Sequence, residues 1–341
     1  NRIVIAPMCQ YSAIDGVPQP WHVQHIGRLA VSGAGLVIIE ATGVEAAGRI
    51  TPDDTGLWND EQEAAFAEIL RGIRTYSHTP GRKASTSAPW KGGRALGPDA
   101  GAWRTYGPSA LPFRDDWHTP AEMTEADMDR VVAGFEDAAR RADRAGFDLV
   151  ELHAAHGYLL TEFLSPLSNH RADQYGGSAE ARMRFPLRVA QALREAWPRT
   201  KALGVRFNGS DWIEGGVALD EVIAFGRALH EMGYDYLHLT SGGNVARADI
   251  PGAEPGYQVR FAEAVKQAVP DAAVMAVGMI FDPQQAEDIV ASGQADIIAI
   301  ARAALDDPNW PHHAAVALGQ GEGLPPQYER AGKAHWPGYG R

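Results

Sequence analysis

Short runs of β-branched and apolar residues alternate with amphipathic helical stretches along most of the chain. Strands are predicted at residues 3–6, 36–40, 147–152, 202–206, 234–240, 273–277 and 297–300. Helical periodicity predicts helices over 21–32, 59–76, 124–145, 178–196, 219–232, 257–268, 283–292 and 310–318. The helix beginning at Thr124 carries the capping pattern Thr-Glu-Ala-Asp. A long segment rich in Gly, Pro and Trp separates the second helix from the third. Repeated βα units over 341 residues favour a (β/α)₈ TIM barrel over an open doubly wound sheet. The expected organisation is a single domain over residues 1–341, with a carboxyl-terminal tail at 320–341.

One strand is missing from that pattern. Between the helix expected to end near Ser77 and Lys83 the sequence offers only His78-Thr-Pro-Gly-Arg82, too short and polar for a third barrel strand. Either a segment is absent between Gly81 and Arg82, or the chain lacks its third strand; the first is the favoured reading.

Composition narrows the functional classes. With 45% hydrophobic and 22% charged residues the chain can bury a large core. A net charge of −12, with Lys and Arg in short pairs only, argues against nucleic acid or an anionic membrane as partner. The single cysteine, Cys9, rules out an intrachain disulfide and a four-cysteine iron–sulfur site, which suits a reducing cytoplasm. No apolar run approaches membrane-spanning length. The sequence opens at Asn1 within a strand, so a preceding segment is expected.

Candidate chemistry concentrates in Phe147-Asp-Leu-Val-Glu-Leu-His-Ala-Ala-His-Gly-Tyr158. His153, His156 and Tyr158 are expected just beyond a buried parallel strand, where α/β proteins place their ligands. The two histidines could be ordinary loop residues, or metal ligands together with Glu151 and a third group not identifiable from the sequence. The favoured reading makes them neutral N–H donors gripping a carbonyl or nitro oxygen. Tyr158 is a core aromatic or, from its loop position, a proton donor. Arg206, at the end of its strand, should meet an anionic or electron-rich ligand, because buried arginines are scarce unless paired. Gly278 and Arg302, after the last two strands, form a candidate phosphate site. Cys9 is inert packing or a polarisable neighbour of a redox cofactor.

At these residues the chain resembles the Old Yellow Enzyme family, in particular its thermophilic-like bacterial subclass. The resemblance is carried by Ala6-Pro-Met-Cys-Gln-Tyr11, Gly35-Leu-Val-Ile-Ile-Glu-Ala41, Gly48-Arg-Ile50 and Arg82-Lys-Ala-Ser85. It continues through Gly107-Pro-Ser109, Glu151-Leu-His-Ala-Ala-His-Gly-Tyr-Leu-Leu160 and Phe163-Leu-Ser-Pro-Leu-Ser-Asn169. Tyr175-Gly-Gly-Ser178, Arg182-Met-Arg-Phe185, Val205-Arg206, Ser210-Asp-Trp212, Gly256-Tyr-Gln258 and Gln327-Tyr-Glu-Arg330 complete it. These motifs follow the family's order over nearly the whole chain.

The resemblance implies an FMN-containing barrel that reduces activated alkenes (enones, maleimides, nitro compounds) with NADPH or NADH in two alternating half-reactions. It implies that Ala6, Pro7, Met8, Cys9 and Gly43 line the flavin, with Cys9 tuning its potential. Arg206 would face the flavin's N1 and O2 edge, while Gly278 and Met279, with Ala301 and Arg302, would hold its phosphate. His153 and His156 would bind the substrate oxygen, Tyr158 would supply the proton, and Tyr11 would help hold the substrate. Tyr328 and Arg330 match a motif that reaches a neighbouring subunit's site, implying a homodimer or homotetramer. The family's usual Gly before the phosphate arginine is Ala301 here, and its flavin-binding Gln on the third strand has no counterpart. The competing readings are a metal-dependent barrel hydrolase or lyase using His153 and His156, and a catalytically silent barrel if the third strand is truly absent.

Overall fold

A computed structural model describes residues 1–70, 81–252, 254–320 and 324–339. The first elements are β1 (Ile3–Ile5), α1 (Pro20–Ala30), β2 (Leu36–Val37) and α2 (Asp60–Leu70). After an irregular stretch come the short pair β3 (Tyr106–Gly107) and β4 (Ala121–Glu122), then α3 (Glu125–Ala145), β5 (Leu149–Ala154), α4 (Leu159–Leu164) and α5 (Ala179–Ala196). The chain continues through β6 (Ala202–Asn208), α6 (Leu219–Glu231), β7 (Tyr236–Thr240), α7 (Val259–Ala268) and β8 (Ala273–Val277). It ends with α8 (Pro283–Ala291), β9 (Ile297–Ile300), α9 (Arg302–Asp306) and α10 (Trp310–Ala317).

Seven of the strands form one parallel sheet in the order β2-β1-β9-β8-β7-β6-β5. Its edges are β2 and β5, and the sequence joining them includes residues 71–80. Both the end of the helix expected to reach residue 76 and the third-strand question fall on that stretch, outside the described residues. Gly81 and Arg82 lie together in a 3₁₀ turn, Gly81–Lys83.

Helix caps explain where the elements begin and end. The Thr124 side chain accepts from the Asp127 N–H, and the Thr124 N–H donates to the Asp127 carboxylate, as the capping pattern predicts. At the other end of α3 the chain turns through Gly146 at φ 99°, and the Phe147 N–H donates to the Ala142 carbonyl. That bond corrects the expected strand at 147–152. Phe147 belongs to the helix cap, and the strand runs two residues further, so His153 pairs in register with Arg206 rather than lying in the following loop. The strand expected at 36–40 is likewise reduced to Leu36–Val37. Beyond it Glu40 turns aside to accept from the Gln10 N–H and to pair with His22.

The buried aromatic residues Phe66, Phe135, Phe147, Phe163, Phe185, Phe207 and Phe225 join the helices to the sheet. Phe163 and Phe185 lie 4.5 Å apart between ring centroids, and Phe207 meets Phe225 edge to face. β5 is buried at all six positions, as expected for a strand covered on both faces.

Candidate active site

The carboxyl ends of β5, β6 and β7 are tied together by side chains. Asn208, the last residue of β6, accepts from the His156 N–H and donates to the Gly242 carbonyl. It thereby joins the loops after β5 and β7. His156 holds φ 58°, and Gly157 follows at φ 67°. Only glycine fits at 157, because a Cβ there would lie 2.1 Å from the Gly243 carbonyl oxygen.

The end of β5 and this turn bring together the three side chains expected to act together. The His153 ring lies 5.2 Å from that of His156 and 5.4 Å from that of Tyr158, both edge to face. The His156 Nε2 is 2.9 Å from the Thr240 hydroxyl. Thr240 and Ser241 both donate to the Gln258 carbonyl oxygen, and the Gln258 amide donates to the Val277 carbonyl. With its hydroxyl proton on Gln258, Thr240 accepts from His156, which assigns a proton to Nε2. Burial, with Cys9, Tyr11 and Asp54 nearby, holds the Tyr158 phenol well above its ordinary range, so it is neutral and still carries its proton. Tyr11, at φ 47°, is hydrogen-bonded to Cys9, and burial raises both groups.

A cavity of about 680 Å³ runs from His156 past Arg206 to Gly278, Met279, Ala301 and Arg302. Six residues singled out from the sequence therefore share one wall. Arg206 is only 7% exposed, a cation held against the cavity. At the other end Gly278 adopts φ 122°, and a Cβ there would lie 2.4 Å from the Gln258 amide nitrogen. The exposed Arg302 opens α9 directly after Ala301. Ala6 adjoins this end through its N–H, which donates to the Ile300 carbonyl. Pro7, Met8 and Cys9 follow it. Gly43 is bridged to Gly56 beside Trp58.

Tyr328 and Arg330 lie in the 3₁₀ turn Pro326–Ala331 and do not line this cavity. Tyr328 instead borders a groove with Val31, His312 and Trp336. Among the described residues, no group of three His, Cys, Asp or Glu side chains is arranged to hold a metal ion.

Several participants were not singled out for a role from the sequence. Thr240, Tyr257 and Gln258 line the cavity. Lys83 donates to the carbonyls of His156 and Gly243. Arg82 is buried against Glu162, 3.2 Å away, and its guanidinium also reaches Asn244. Burial raises Glu162 to about 8 despite these cations and lowers Lys83 to about 8. The Arg82-Lys-Ala-Ser motif was the available signal, but the partners of its side chains are far away in sequence.

The donor set fits a flavin mononucleotide: a buried guanidinium faces one region, and a glycine turn with a second arginine closes the other. A curled parallel sheet with this cavity at its strand ends defines the class, an α/β flavin oxidoreductase. The chain belongs to the NADH:flavin oxidoreductase / NADH oxidase family, whose model matches residues 1–320, the family also called Old Yellow Enzyme. It is 40% identical over 335 residues to an NADPH dehydrogenase of Geobacillus thermodenitrificans, covering 97% of this chain and 94% of that protein. An NADPH dehydrogenase of Bacillus subtilis is 41% identical over 333 residues, with the same coverage. Among solved structures, morphinone reductase superposes with a TM-score of 0.76 at 26% identity, covering all of this chain and 91% of its own. The protein is an FMN-dependent NADPH oxidoreductase. No helix among the described residues is long and apolar enough to cross a membrane.

Proposed function

We propose that the protein is an ene-reductase, reducing the C=C bond of enones, maleimides and nitroalkenes. The observation that carries this reading is the clustering of two imidazoles and a neutral phenol at the end of β5 and in the turn after it, where His156 and the buried Arg206 line one cavity. Bound FMN would supply the redox chemistry, accepting a hydride from NADPH and returning one to the alkene. Arg206 would face the edge where the reduced ring gathers negative charge. Gly278, Met279, Ala301 and Arg302 would hold its phosphate, while Ala6, Pro7, Met8, Cys9 and Gly43 would border its ring.

His153 and His156 grip the acceptor's oxygen, whose negative charge grows as the β-carbon receives hydride. His156 exchanges its bond to Thr240 for one to that oxygen. Tyr158 then gives its proton to the α-carbon, and its raised proton affinity keeps the phenol neutral until that step. Tyr11 packs against the acceptor. The sheet is the wall of a single (β/α)₈ domain, and the tail brings Tyr328 and Arg330 to a neighbouring copy's site in a homo-oligomer.

The test is a visible spectrum followed by rapid mixing. The purified protein should be yellow, bleach with NADPH in the absence of oxygen, and regain colour with 2-cyclohexenone. Tyr158→Phe should slow the second step at least tenfold more than the first. Equal losses in both steps, or bleached protein indifferent to every activated alkene, would refute the assignment.

A further inference from the structure

Lys83 touches the site from outside the strands. Its ammonium donates to the carbonyls of His156, at 2.7 Å, and Gly243, at 3.1 Å. The same nitrogen lies 4.6 Å from the centre of the Tyr158 ring and 5.1 Å from that of Phe113. An ammonium has three N–H bonds; two go to carbonyls, and the aromatic faces take the remaining charge. Those carbonyls belong to the tight backbone contact at Gly157 and Gly243, where a Cβ on Gly243 would lie 2.6 Å from the His156 oxygen. Lys83 thus fastens the left-handed turn that carries His156 and Tyr158.

We propose that Lys83 is a positioning residue for the proton transfer, holding this turn in place and setting a positive charge against the Tyr158 ring as the phenol loses its proton. The proposal rests on Tyr158 being the donor, as argued above. In that step the phenol O–H bond breaks and its electron pair stays on oxygen. A C–H bond forms from the electron pair left on the α-carbon by hydride addition, and the phenolate later takes a proton from solvent. Lys83 gives up no proton. Its attraction to the ring strengthens as the ring becomes anionic, so it acts more on the transition state than on the resting enzyme.

The charged and titratable groups around Lys83 are Glu162, which favours the ammonium, Arg82, which opposes it, and the Tyr158 side chain. Burial sets the ammonium's proton affinity near pH 8, so it is charged at neutral pH and neutral in moderate alkali.

The test compares Lys83→Met, Lys83→Arg and Tyr158→Phe holoenzymes by stopped flow, after thermal melts establish that each is folded. Lys83→Met should slow reoxidation by 2-cyclohexenone about thirtyfold. Flavin reduction by NADPH, and reoxidation by a quinone that needs no protonation at carbon, should change less than about threefold. Lys83→Arg should restore most of the loss. The wild-type enone step should fall as pH rises through about 8, and this inflection should vanish in Lys83→Arg, whose guanidinium stays charged. An inflection that persists there belongs to Glu162 and counts against the proposal. Equal losses in all steps, or none, would leave Lys83 without this role. A full enone rate in Tyr158→Phe would instead remove the donor on which the proposal depends.

Discussion

The Tyr236 hydroxyl on β7 donates to the Glu151 carboxylate on β5 at 2.8 Å, reaching across the intervening strand β6. It can do so because its register partner on β6 is Gly204, where a Cβ would sit 2.0 Å from the Tyr236 ring. The same carboxylate pairs with His238, which burial keeps neutral and which therefore donates from Nδ1. His238 shares the register row of His153 and Arg206, while Glu151 and Tyr236 lie in the row two residues before it. Gly204→Ala should displace the ring and leave a buried carboxylate short of a donor, costing about 3 kcal/mol or more. Tyr236→Phe, which loses only the hydrogen bond, should cost about 1–2 kcal/mol. Denaturant melts distinguish the two; similar losses would mean that position 204 tolerates a methyl group.

Removing an imidazole should weaken the grip on the acceptor oxygen. His156→Ala, and separately His153→Ala, should lower kcat/KM for an enone about 10- to 100-fold, the value of one hydrogen bond to developing charge. Steady-state kinetics with 2-cyclohexenone provide the check, and unchanged values would place the oxygen elsewhere.

Arg206→Met removes the buried cation of the cavity. The variant should release FMN more readily on ultrafiltration, and its flavin potential should be more negative, because the anionic reduced ring loses its counter-charge. A potential at or above that of the parent would show that Arg206 does not face the ring.

Asp54 should make stability depend on pH. Burial raises its carboxyl from 3.8 to about 7, although the Ile50 N–H and the Thr51 hydroxyl both donate to it. Between these two values the folded chain binds a proton that the unfolded chain has lost. The stabilisation is therefore fully present below about pH 4 and lost as pH rises through 7, with a slope of at most about 1.4 kcal/mol per pH unit. Asp54→Asn should flatten the wild-type decline between pH 5 and 7 in urea melts; an identical slope would mean that the carboxyl is ionised throughout.

Much of this architecture was legible in sequence because local chemistry specifies it. The third long helix announces itself through Thr124, Asp127 and Gly146, and the runs at 273–277 and 297–300 are too short and β-branched to be helices. Phe147 misled because a β-forming side chain says nothing of the cap bond made by its N–H. α4 was missed because five of its six residues are buried, leaving no polar face and no helical period. His153, His156 and Tyr158 were legible because six residues contain all three. Lys83 and Arg82 were not, since their partners lie 73 and 162 positions away. Only the folded chain brings them into contact.

Gly157 and Gly243 meet main chain to main chain, with no side chain between them to absorb an adjustment. The loops following β5 and β7 therefore behave as one rigid piece, so reshaping the pocket by grafting either loop alone from a relative should fail where exchanging both together succeeds.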